Sequence, residues 1–254
     1  MTEIGERAAD RRVLALTGAD RIAFLQGLVT NDVRKLGEPD RRIVYAALLS
    51  PQGKYLADFF LVGEPERVLL DANAGQAEAL ARRLAMYRLR ADVQILPAGL
   101  NVLRGLGPAP EDALPDPRDP RLGWRRYTTQ DGTPPVIDWD AIRVEAEVPE
   151  AGVELIPDES YILEAGFERL HGVDFRKGCY VGQEVTARMK HRTELRKGIV
   201  RVTVAGEAAP GTEITSGGKA AGRLLTRAGD RALAYLRFDR AEGMEAGAAR
   251  IALD

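Results

Sequence analysis

The chain has a single cysteine, Cys179, set in Arg176-Lys177-Gly178-Cys179-Tyr180-Val181-Gly182-Gln183-Glu184. Glycines on both sides of a thiol permit close backbone approach and positive φ angles. The helix-forming composition of Glu184 to His191 puts the thiol just before a helix N-terminus, with Arg176 and Lys177 beside it and Arg188 one turn further on. Cations and a helix N-terminus both favour thiolate over thiol, so the spacing predicts a reactive Cys179 assisted by Lys177. The plain alternative is a small buried cysteine acting as a hydrophobe. Covalent catalysis by a thiol needs an adjacent base, and the two histidines, His171 and His191, lie eight and twelve residues away. One thiol and two histidines exclude an internal disulfide, a zinc finger and a resident cluster. No stably bound metal is expected from one chain.

The elements that must position this segment follow from periodicity. Residues 13–16, 43–49, 55–62, 68–70 and 93–96 read as strands. Ser50-Pro51-Gln52-Gly53-Lys54 reads as a tight turn, and residues 21–28 and 74–89 as helices with Leu25, Leu80 and Leu84 on their apolar stripes. This β-β-α-β rhythm predicts an α+β sandwich with helices on one face of an antiparallel sheet. Residues 107–120 carry five prolines and read as a loop between subdomains. The next element starts near Trp139 and runs through Ile142-Arg143-Val144. From Val200 onward, short segments at 200–204, 213–215, 222–225 and 232–236 are separated by glycines, which suits a small C-terminal β-barrel.

At 254 residues, 45% hydrophobic and 29% charged, the chain has ordinary globular composition and length enough for a substantial core. A net charge of −2 argues against direct nucleic-acid binding. No apolar run of about 18 residues is present, so no membrane span is expected. The segment MTEIGERAADRR lacks the apolar stretch of a signal peptide, and three acids among its first ten residues argue against a mitochondrial presequence. The expected compartment is the cytoplasm. Residues 169–201 hold nine Lys or Arg against three acids, a basic segment suited to an anionic tail or an acidic partner surface.

Lys177 to Glu184 resembles the signature Lys-Gly-Cys-(Tyr/Phe)-x-Gly-Gln-Glu of the YgfZ family, whose members are similar to the T-protein of glycine cleavage. Phe24 to Asp32 (FLQGLVTND) looks like the family's N-terminal block, residues 50–54 resemble its hairpin, and residues 139–147 resemble its Trp–Arg–Glu stretch except at Glu147, where glycine is usual. Further pieces, Ile214 to Gly217 and Ala232 to Tyr235, look like T-protein barrel segments, and the resemblance covers residues 11 to 240. It implies a T-protein-like ring of subdomains around a central folate-sized hole. Residues 1–193 would form the folate-binding region, with its second subdomain at about 46–106, and residues 194–254 the β-barrel domain.

The function implied by the resemblance is a folate-binding accessory factor for assembly or repair of 4Fe–4S clusters in client proteins, radical tRNA-modifying enzymes among them. The implied cofactor is tetrahydrofolate or a related folate, and the implied partners are iron–sulfur client or carrier proteins. Trp139 would stack on the folate ring, and Arg143 and Glu145, which point to one side if this segment is a strand, would meet the pterin edge. Gln26, Asn31 and Asp32 are further folate contacts by position in the first block. Glu147 would crowd the hole. T-proteins carry paired carboxylates after the hairpin, and here one has become Ala57 beside Asp58. The remaining Asp58 keeps open a tetrahydrofolate-dependent aminomethyl- or methyltransferase, though paired acid–base chemistry is lost.

Overall fold

The structure is a computed structural model that describes residues 5–38, 40, 42–191 and 194–254. Strands β1 (Glu6–Arg7), β2 (Arg11–Thr17), β3 (Ile43–Leu49), β4 (Tyr55–Gly63), β5 (Val68–Asn73), β6 (Gln94–Pro97), β7 (Asn101–Gly105), β8 (Leu114–Pro115) and β9 (Trp124–Thr128) form two sheets. The larger is antiparallel with order β3-β4-β5-β2-β6, and the smaller has order β1-β7-β9-β8. Helices are α1 (Arg21–Gln26), α2 (Ala74–Tyr87), α3 (Trp139–Ala146) and α4 (Gln183–His191). A closed barrel follows, built from β10 (Lys197–Ala205), β11 (Glu213–Ser216), β12 (Lys219–Ala228), β13 (Arg231–Arg237), β14 (Met244–Ala246) and β15 (Ala249–Leu253) in the order β10-β13-β12-β11-β14-β15.

Both faces of the β3–β4 hairpin are covered, so its residues are buried almost without break and alternate between two cores. Val44, Ala46, Leu48, Phe59 and Leu61 face Leu25 of α1 and Leu80 and Leu84 of α2. Tyr45, Ala47, Leu49, Tyr55 and Phe60 face Leu155, Ile162, Phe167 and Leu170 from the run of turns between α3 and α4. Period two along a strand requires this division. Helices on one face of an antiparallel sheet are thus as expected.

Two expectations are corrected by the backbone. Residues 139–146 are helical, because the Asp138 carboxylate caps the first turn by accepting from the Ala141 N–H at 2.9 Å. Arg143 and Glu145 therefore leave α3 in different directions. Glu147 terminates that helix in the left-handed conformation, φ 53°, which explains why glycine suits the position, and its side chain does not line the central cavity. Strands β7 and β9, which carry the smaller sheet, went unread in the sequence.

Candidate functional site

Two separate sites emerge, and the residues predicted to form one folate pocket are divided between them. The first is the Cys179 loop. Gln26 sits at the end of α1 and clasps it twice: its Nε2 donates to the Lys177 carbonyl at 3.1 Å, and the Lys177 Nζ donates to the Gln26 carbonyl at 2.6 Å. Thr30 Oγ1 donates to the Gly172 carbonyl at 2.6 Å, and Asn31 Nδ2 donates to the His171 carbonyl at 2.6 Å. The Asp174 N–H returns to the Thr30 carbonyl. Asp32 is held to about pKa 2, foremost by hydrogen bonds from the exposed Arg34 guanidinium. Gln26 thus clasps the thiol loop, Asn31 holds the chain leading into it, Asp32 adds its charge near Lys177, and none lines the central cavity.

Within the octapeptide nearly every residue builds the loop. Gly178 takes φ +100°, a region costly for other residues. Tyr180 is buried in the second core, with the Lys177 ammonium 4.9 Å from its ring centroid. Gly182, at φ +82°, lies against the hairpin turn so closely that a Cβ there would stand 2.5 Å from the Ser50 carbonyl oxygen. Gln183 opens α4 with its Oε1 accepting from the Tyr180 N–H, and Glu184 pairs with Arg188 at 2.8 Å on the surface. Cys179 is left as a free, exposed thiol. Burial pushes Lys177 down to about pKa 8, opposed by Asp32, Asp174 and Cys179 itself.

The second site is a cavity where the two sheets meet α3, lined among others by Asp58, Trp139 and Arg143. These are the only three of the nine predicted site residues found there. Its dominant feature is a set of arginines, of which Arg104, Arg118 and Arg125 carry no signal in the sequence. Asp71, fully buried on β5, accepts from Arg11 Nε at 2.7 Å, Arg125 Nη2 at 2.6 Å and the Tyr127 hydroxyl at 3.0 Å. Asp116 accepts from Arg118 at both oxygens, 3.0 and 2.8 Å, and lies 3.5 Å from Arg125. Burial alone would raise both carboxyls, but the guanidiniums outweigh it and hold them low.

The predicted cavity residues are already engaged. The Asp58 carboxylate accepts from the Tyr45 hydroxyl at 3.0 Å and the Tyr55 hydroxyl at 2.7 Å. Trp139 Nε1 donates to Glu6 at 2.8 Å, and the Arg104 guanidinium lies 4.4 Å from its ring centroid. Arg143 is buried among Asp140, Glu150 and Glu154 at 2.8–3.1 Å. Glu145 is on the other side of α3, paired with the barrel residues Arg201 and Arg231, so the expected Arg143–Glu145 contact to a pterin edge is not formed. The free volume is about 30 Å³. A water needs about 10–15 Å³ on this measure, whereas small-molecule pockets run to roughly 300–1,000 Å³. As arranged, the cavity fits waters and does not fit a folate.

Comparison with known proteins was informative at two levels. Residues 196–254 match the family described as the CAF17 C-terminal beta-barrel domain. Over 93% of its length the chain is 31% identical to the mitochondrial iron–sulfur cluster assembly factor IBA57 of Mus musculus, of which it covers 78%, and it stands equally close to that of Homo sapiens. A homolog from Mycosarcoma maydis is 33% identical over 75% of the chain, which spans about half, 54%, of that relative. The fold resembles the crystal structure of glycine cleavage system aminomethyltransferase T from Bartonella henselae, with a TM-score of 0.74 at 15% identity, covering 98% of this chain and 85% of that one. The T-protein-like architecture with a terminal barrel is therefore established. The cytoplasmic expectation is overturned, because these relatives are mitochondrial proteins. It rested on the composition of the segment MTEIGERAADRR, which has no apolar stretch and three acids among its first ten residues.

Proposed function

The chain belongs to the family of the iron–sulfur cluster assembly factor IBA57, and from that premise we propose that it acts in assembly or repair of 4Fe–4S clusters on client proteins through the thiol of Cys179. The observation that carries this reading is the contrast inside the octapeptide. Lys177, Gly178, Tyr180, Gly182 and Gln183 are all used to shape and anchor a loop, and that loop presents one free thiol to solvent. A fold that only needed a hydrophobe at this position would bury it.

A 4Fe–4S cluster takes four cysteine ligands, and this chain has one. The cluster is cargo, shared with a carrier or client that supplies the other ligands, and Cys179 serves as a transient ligand, a redox thiol or the point of contact. Arg176, exposed and three residues before the thiol, favours an anionic partner surface, whereas the exposed Arg34, Arg188 and Lys190 are paired with Asp32, Glu184 and Glu168. Radical tRNA-modifying enzymes are proposed among the clients. One-carbon transfer is disfavoured, since both oxygens of Asp58 are bound by tyrosine hydroxyls and its former partner position is Ala57.

Complementation tests the proposal. In cells of the native host lacking this gene and placed under oxidative stress, the wild-type chain restores 4Fe–4S enzyme activities and radical-enzyme-dependent tRNA modification. Cys179→Ser, expressed at the same level, leaves them at the level of the deleted strain. Full restoration by Cys179→Ser would sink the proposal.

A further inference from the structure

We propose that the centre of the ring is occupied by the chain's own guanidinium groups and takes no folate. A pterin is recognised by two features: a flat ring that stacks, and an N–C–N edge that donates two parallel hydrogen bonds to a carboxylate. Both are already supplied from within. Arg118 gives Asp116 the two-pronged contact, at 3.0 and 2.8 Å, that a pterin edge would give. The guanidiniums of Arg125 and Arg118 lie 4.0 and 4.7 Å from the Phe60 ring centroid, where a flat heterocycle would stack. Arg104 covers Trp139 in the same way, at 4.4 Å.

Displacing these groups is unfavourable. Arg118 is largely buried and Arg125 buried, and their carboxylate partners Asp116 and Asp71 are 1 and 0% exposed at their side chains. Breaking one buried ion pair weakens an entering ligand by a factor of about 10²–10³. The volume left over, about 30 Å³, is that of roughly two waters. These arginines come from β2, β7, the loop after β8 and β9, and the pair of Arg125 on β9 with Asp71 on β5 also joins the two sheets. The inference concerns the cavity alone and is independent of the role proposed for Cys179.

Equilibrium dialysis of the full chain against tetrahydrofolate and 5-formyltetrahydrofolate tests it. The expected result is no saturable binding up to about 1 mM. Saturable binding that Trp139→Phe and Phe60→Leu each weaken tenfold or more would overturn the proposal. Saturable binding that neither change moves lies outside the cavity and leaves the proposal standing. Arg104→Ala, which removes the group over Trp139 without breaking an ion pair among the described residues, gives a second arm. It leaves binding undetectable if the paired arginines close the hole, and binding that appears with this single change, stronger than about 100 μM, would refute that closure.

Discussion

Asp71 is the residue on which the interior charge lock turns, so Asp71→Asn is the most informative stability test. The wild-type carboxylate is fully buried and holds Arg11, Arg125 and Tyr127 at 2.6–3.0 Å. Asparagine keeps the shape and one acceptor but turns an amide donor toward a guanidinium, leaving one buried cation uncompensated. Removing one partner of a buried pair costs about 3–5 kcal/mol. For a chain of this size each kcal/mol is worth about 2–4 °C, so thermal denaturation followed by circular dichroism at pH 7 should fall by roughly 6–20 °C. The pH dependence has a fixed sign. Asp71 and Asp116 are held below their ordinary values in the fold, so the unfolded chain binds more protons once pH drops below the ordinary aspartate value of about 3.9. Their contribution is complete above that value and is lost as pH falls further toward the native ones. Asp71→Asn should therefore flatten urea-unfolding stability across the acid range. A melting shift under about 2 °C, with the acid dependence intact, would refute the reasoning.

Two smaller predictions concern the loops. Glu147→Gly, at φ 53°, relieves a left-handed strain of about 1 kcal/mol and should raise the melting temperature by about 2–4 °C, whereas a decrease would mean that the side chain holds something worth more. Lys177→Met removes the ammonium bond to the Gln26 carbonyl, a charged hydrogen bond worth about 1.5–3 kcal/mol, so hydrogen exchange across residues 172–182 should quicken at least about tenfold. In the wild type, protection factors, which correct exchange for its intrinsic rise with pH, should begin to fall above pH 8, where Lys177, lowered to about 8, loses the charge that strengthens this bond. Unchanged protection in both cases would remove the clasp from the account.

How much of this was legible in the sequence depends on which residues carried the pattern. The β3–β4 hairpin and α2 were readable because apolar residues alternate or recur at helical spacing there. The smaller sheet was not, because arginines interrupt its buried Val102, Leu103, Trp124 and Tyr127: Asn101-Val102-Leu103-Arg104-Gly105 and Trp124-Arg125-Arg126-Tyr127-Thr128 show no apolar alternation, and Arg125 is itself 4% exposed. Buried charge erases the hydrophobic period, and with it went both the sheet and the cavity it lines. Residues 139–146 do not declare their element in the sequence, because Ile142, Val144 and the spacing of Arg143 and Glu145 suit strand or helix, while the deciding cap lies one residue earlier at Asp138. The Cys179 loop, by contrast, was visible in its glycines and lysine. The first block, 24–32, was also visible, but its role as the cradle of that loop depends on contacts across about 140–150 residues of chain, which spacing alone does not reveal.

The central claim is that cluster assembly runs through the surface thiol and not through the central cavity. Side-by-side complementation with Cys179→Ser, Asp58→Asn and Trp139→Phe, read as 4Fe–4S enzyme activity at matched protein levels, tests it most directly. The account predicts loss of rescue with Cys179→Ser and full rescue with both cavity variants. Rescue by Cys179→Ser together with failure of stably folded Asp58→Asn or Trp139→Phe would contradict it.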